Sequence, residues 1–138
     1  MKKRYGENKV NITLWTLTVI SALIAIISYS FLPKDIPMQW SGLNVNWYAD
    51  KLAIFMSPLM CLVIICLLKP EISKRFKMPV VSDIITVCLM IIFLTCELYT
   101  IAYCFGLRYR LDYILLAEVI IMVIIGTAIT RSYYRNKS

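Results

Sequence analysis

Leu32-Pro33-Lys34-Asp35-Ile36-Pro37-Met38-Gln39-Trp40-Ser41-Gly42-Leu43-Asn44-Val45-Asn46-Trp47-Tyr48-Ala49-Asp50-Lys51 is the longest polar interruption in a chain otherwise made of hydrophobic spans. Its two prolines disfavour helix at the residue before each, so the chain is expected to leave a helix near Leu32 and run extended. Gly42 and Asn44 supply turn chemistry. Trp40, Trp47 and Tyr48 are amphipathic rings of the kind that settle at a membrane–water interface. The segment therefore reads either as a connector resting on lipid headgroups or as an ordered cap that receives a ligand.

The spans on either side decide the class. The chain is 138 residues long, 60% hydrophobic and 17% charged, with a mean hydropathy of +0.73. Apolar runs of about 18 residues or more read as transmembrane helices. Four are expected, at about 12–32, 52–68, 82–105 and 111–130. The predicted fold is a single all-α membrane domain over 1–138, a four-helix bundle with the Pro/Trp-rich segment as an extracellular cap between helices 1 and 2. Within the first span Thr18, Ser21, Ala22, Ala25 and Ser28 recur at helical spacing. Such a stripe of small residues lets another helix approach closely in lipid. Pro58 is expected to bend the second span. Lys69 to Lys77 reads as a loop ended by Pro79, with Ser82 or Asp83 capping the third span.

Charge sets the expected orientation. Eleven of the fifteen basic residues lie at the N-terminus (Lys2, Lys3, Arg4, Lys9), in the second loop (Lys69, Lys74, Arg75, Lys77) and at the C-terminus (Arg131, Arg135, Lys137). Lys34, Lys51, Arg108 and Arg110 are on the other side. The positive-inside rule then places both termini in the cytoplasm and the Pro/Trp segment outside. The basic start followed by an apolar run is read as an uncut helix, the run being long for a signal peptide. The net charge of +7 is accounted for by these flanks and by contact with anionic headgroups. No basic stripe with stacking aromatics exists, so no nucleic-acid partner is expected.

Histidine is absent, and the cysteines (Cys61, Cys66, Cys88, Cys96, Cys104) lie inside apolar spans without paired spacing. No metal site, disulfide framework or cofactor is expected. Two acids fall inside spans, Glu97 in the third and Glu118 in the fourth. An ionisable group at membrane depth needs a partner, water or a proton. Because a tight turn joins their helices, the two carboxylates are expected at one level and able to face one another. Arg108 and Arg110 are within snorkelling reach. The readings weighed are a polar clasp, a ligand or ion site, and catalysis by paired acids. The supporting constellation for the last is missing, and no enzyme activity is expected.

The Pro/Trp segment also carries a resemblance. Pro33, Ile36, Pro37, Trp40, Tyr48 and Lys51, followed by Pro58, resemble a bacterial domain-of-unknown-function family that forms the N-terminal part of SdpI-type immunity proteins. Gln39 stands where that family usually has histidine, Ser41 where it has asparagine and Asn46 where it has aspartate. The resemblance implies a multi-pass protein of a bacterial cytoplasmic membrane. It further implies protection against a secreted antimicrobial peptide, with signalling to a cytoplasmic repressor. The residues expected to bind a ligand or partner are Pro33, Asp35, Pro37, Gln39, Trp40, Asn46, Trp47, Tyr48 and Lys51. The expected partners are the lipid bilayer, an extracellular peptide and a membrane-protein partner. The alternative function is an accessory subunit of a membrane complex such as a peptide exporter, docked through the first helix's small-residue stripe.

Overall fold

A computed structural model describes residues 5–137; the expectations resting on Lys2, Lys3 and Arg4 lie outside them. The chain order is α1 (Tyr5–Tyr29), β1 (Asp35–Ser41), β2 (Asn44–Asp50), a 3₁₀ turn (Lys51–Phe55), α2 (Met56–Val63), a π-helical turn (Ile64–Leu68), α3 (Lys69–Arg75), α4 (Pro79–Cys104) and α5 (Leu111–Arg135). Among the described residues four helical stretches are long and apolar enough to cross a membrane: Asn8–Tyr29, Lys51–Arg75, Pro79–Cys104 and Leu111–Arg135. The fold is thus mostly helical, the makeup of a multi-pass membrane protein.

It is not all-α. The Pro/Trp segment is a two-stranded antiparallel hairpin with Asp35 opposite Asp50 and Ser41 opposite Asn44. Alternation builds the first strand: Ile36 is buried, Met38 and Trp40 are half-buried, and Asp35, Gln39 and Ser41 are exposed. Gly42 closes the turn at φ +64, while Leu43 stays out of the positive-φ region. That is the II′ pattern, which takes glycine at the first central position because its twist matches the strands. The register slips around Gln39, a bulge of the sort that re-aims side chains.

Helix ends differ from expectation where capping or proline chemistry intervenes. The first helix stops at Tyr29 rather than near Leu32, its end tightened by bonds from the Phe31 and Leu32 amides to the Ser28 carbonyl. The second stretch does not end at Leu68. It runs on to Arg75, so most of the expected Lys69–Lys77 loop is helix. Pro70 lacks an amide hydrogen and would crowd an α-helical carbonyl four residues back. The π turn just before it, where the Lys69 amide reaches the Ile64 carbonyl, opens the ladder and absorbs the ring. Nor do Ser82 or Asp83 cap the third span: the helix starts at Pro79, the position where proline is preorganised. Ser82 is buried, 3.0 Å from the Ser73 hydroxyl.

The four spans do not close into a four-helix bundle. α1, the second stretch and α4 pack together, and α5 lies alongside α4. Leu14, Thr18, Ser21, Ala25 and Ser28 form the buried stripe of α1, and it is filled by α4 and α2. The surface expected to dock a partner is therefore used within the chain. On α5 only Leu111 is fully buried. Among the described residues two apolar clusters form the core. One contains Leu14, Cys61, Ile64 and Met90. The other, beneath the hairpin, contains Ala25, Leu32, Ile36 and Ile54.

Gly42, at φ +64, holds a backbone conformation that side-chain-bearing residues rarely adopt. Gly42→Val places a β-branched residue at positive φ and should cost about 1–2 kcal/mol, whereas Gly42→Asn should cost less. Thermal melting of the detergent-solubilised variants checks this; equal melting of both would contradict the turn assignment.

Candidate functional site

The site begins at the hairpin and continues into the helices beneath it. Ile36 anchors the first strand in the upper apolar cluster. Trp40 packs edge-on against Tyr99, with ring centroids 5.1 Å apart, and against Tyr103 at 6.1 Å. Tyr99 in turn donates its hydroxyl to the Tyr109 carbonyl, tying α4 to the connection that follows it. The Trp40 indole N–H is enclosed and has no acceptor among the described residues. Lys51 Nζ sits 4.4 Å over the Tyr29 ring and donates to the Tyr29 carbonyl at 3.4 Å. Asp50 accepts from the Leu52 amide at 2.9 Å and so caps the 3₁₀ turn. Both ends of the hairpin are fastened to the helices they join.

The nine residues expected to bind a ligand divide into two groups. Pro37 is buried, while Trp40 and Lys51 are half-buried against the helices; these hold the hairpin in place. Pro33, Asp35, Gln39, Asn46, Trp47 and Tyr48 are exposed. Trp47 is 56% and Tyr48 53% exposed, so the two tryptophans occupy different surroundings. Tyr99 and Tyr103 were missed by sequence reasoning. Their i, i+4 spacing near a helix end is the signal that puts two rings on one face.

Beneath the hairpin lies Glu97, only 2% exposed. Its Oε2 accepts a hydrogen bond from Ser21 of α1 at 2.5 Å. Ser21 Oγ is 3.4 Å from Ser57 Oγ of α2, and Ser57 donates to the Phe93 carbonyl at 3.2 Å. The three residues share a level. Glu97 lies about 10 Å from the end of α4 and Ser21 about 12 Å from the end of α1, at 1.5 Å per residue, and Ser57 lies about 11 Å below Lys51, the 3₁₀ turn rising about 2.0 Å per residue. Glu97 Oε1 has no hydrogen-bond partner among the described residues. The layer divides the two apolar clusters and joins three helices at one point.

The expected acid pair does not form. Glu118 accepts from Thr95 at 2.8 Å, while Glu97 turns to α1. Thr95 and Glu97 are two residues apart, about 200° around the helix, so the carboxylates engage opposite sides of α4. A shared level along the axis says nothing about direction around it. The arginines also go elsewhere. Arg108 stacks 4.1 Å over Tyr103 and donates to the Tyr103 and Leu107 carbonyls. Arg110 bridges to Asp112 at 2.5 Å and stacks over Tyr113 at 4.2 Å. Among the described residues no group of three or more potential metal ligands comes together.

Residues 16–62 match a family described as a domain of unknown function, DUF1648. The match takes in the latter half of α1, both strands and nearly all of α2, so it contains Ser21, the hairpin and Ser57 and leaves out Glu97. No curated protein and no solved structure matches the chain.

The two acids should respond unequally to truncation. Glu97→Ala opens a void among three helices and strips Ser21 of its acceptor, at an expected cost of about 2 kcal/mol or more. Glu118→Ala, on the more open side of α4, should cost less than about 1 kcal/mol. Denaturation in mixed micelles measures both; the reverse order would contradict the geometry.

Proposed function

We propose that this protein is a multi-pass protein of a bacterial cytoplasmic membrane that binds an extracellular antimicrobial peptide at the hairpin, conferring immunity or sensing its presence. The observation that carries the reading is a hairpin fastened on one side and bare on the other. Ile36, Trp40 and Lys51 lock it to α1 and α4, whereas Gln39, Asn46, Trp47 and Tyr48 are exposed. A surface held rigid before the ligand arrives loses less entropy on binding. Tryptophan and tyrosine are among the residues enriched at binding hot spots.

The orientation is part of the proposal. Lys9, Lys69, Lys74, Arg75, Lys77, Arg131, Arg135 and Lys137 gather at the end away from the hairpin, which supports cytoplasmic termini and an external hairpin. The resemblance of Pro33, Ile36, Pro37, Trp40, Tyr48 and Lys51 to SdpI-type immunity proteins supplies the ligand class. Because the hairpin joins α1 directly to the 3₁₀ turn before α2, a shift in it reaches Ser21 and Ser57, and through them Glu97. That gives a sensing role a physical route from the hairpin into the membrane-spanning helices.

The subunit reading retains one support. With the α1 stripe occupied, a partner would dock on α5, whose apolar side chains are mostly exposed. A stoichiometric membrane partner co-purifying with the protein would favour it over the receptor.

Alanine at the two tryptophans separates anchoring from recognition. Trp47→Ala should abolish protection or peptide binding, a loss of about thirtyfold or more in affinity, while melting stays near wild type. Trp40→Ala should lower the melting temperature first. Growth in candidate peptides, read beside thermal melts, tests this; a Trp47→Ala strain as resistant as wild type would sink the receptor reading.

A further inference from the structure

α4 and α5 lie side by side but do not seal along their whole length. They are tied by the Thr95–Glu118 hydrogen bond at 2.8 Å. They come close at Gly126, where an added Cβ would stand 3.1 Å from Ile84. Beside this seam runs an open groove of about 520 Å³, within the range of about 300–1,000 Å³ that takes small ligands. Its walls are apolar: Ile84, Cys88 and Ile92 on α4, Val119 and Val123 on α5. Arg131 stands at one end.

We propose that this groove is a binding site for an anionic phospholipid, with an acyl chain along the apolar walls and the phosphate on Arg131. Length is the first argument. From Val119 to Arg131 the helix rises about 18 Å, close to the depth of one leaflet of a hydrocarbon core about 30 Å thick. Charge is the second. Arg131 is exposed and makes no ion pair among the described residues, so its guanidinium is free to take a phosphate bidentately. It also lies at the basic end of the molecule, where α5 finishes beside the start of α4 and the Lys74, Arg75 and Lys77 segment that precedes it. Basic pockets between transmembrane helices are where anionic headgroups are recognised. The groove side chains offer the chain dispersion contacts only, so selectivity among lipids comes from the arginine. The site is separate from the hairpin and independent of the receptor reading.

The test uses the full-length protein purified in mild detergent, with phosphatidylglycerol or phosphatidylcholine added back. Native mass spectrometry reads retained lipid and thermal melting reads stabilisation. Wild type should retain phosphatidylglycerol about fivefold better than phosphatidylcholine, equivalent to ~1 kcal/mol. Arg131→Gln should erase that preference while melting like wild type in lipid-free detergent. Val123→Trp, which fills the groove from its open side, should weaken retention of both lipids. Equal retention of the two lipids by wild type, or an undiminished preference in Arg131→Gln, would overturn the proposal. So would a dimer that Val123→Trp disrupts, because the groove's occupant would then be a second copy of the chain.

Discussion

A carboxylate shut away from water between hydrophobic helices must be met by protein, and Glu97 is met by α1. In lipid the helices gain little from burying apolar surface, since the acyl chains are as apolar as leucine. Helix association then depends on close packing and on the few polar groups that have nowhere else to go. The hydroxyls of Thr18, Thr86 and Thr100 each fold back on a carbonyl of their own helix. Ser21 instead reaches across to Glu97. That bond sets the rotation of α1 on α4 and leaves Ser57 of α2 beside it. With α1 and α2 placed, the two ends of the hairpin are placed as well, and the Trp40 ring meets the Tyr99 and Tyr103 side of α4.

Much of this was legible in the residues. Hydropathy alone separates the four spans, because a helix in lipid satisfies its backbone internally wherever the run is long enough. The extended run set by the two prolines and the turn at Gly42 are both found in the hairpin; the pairing itself was legible in the alternation of Ile36, Met38 and Trp40. Pro37 is tolerated because a two-stranded ribbon has no interior strand. The run of helix from Lys69 to Arg75 was hidden by Pro70, whose accommodation depends on a π turn that composition does not signal.

The pairing of the acids was not legible from depth. Glu97 and Glu118 do lie at similar heights, but height along a helix and direction around it are separate coordinates. Direction was encoded elsewhere, in the recurrence of Ser82, Thr86, Met90, Glu97 and Thr100 on one face of α4. That stripe faces the stripe of α1, with Met90 in the same apolar cluster as Leu14 and Glu97 taking the Ser21 hydroxyl. What no pattern in the chain announces is that α5 stands to one side, since its apolar residues run all the way around it.

The most direct test of Glu97 as the joint between α1 and α4 is a double-mutant cycle measured by denaturation in mixed micelles. Ser21→Ala and Glu97→Gln should be non-additive, with a coupling energy of about 1 kcal/mol, within the range found for hydrogen bonds between membrane helices. Glu97→Gln and Glu118→Gln, acting on opposite sides of α4, should be additive. Strict additivity in the first pair together with coupling in the second would mean that the acids hold each other and that α1 is placed by something else.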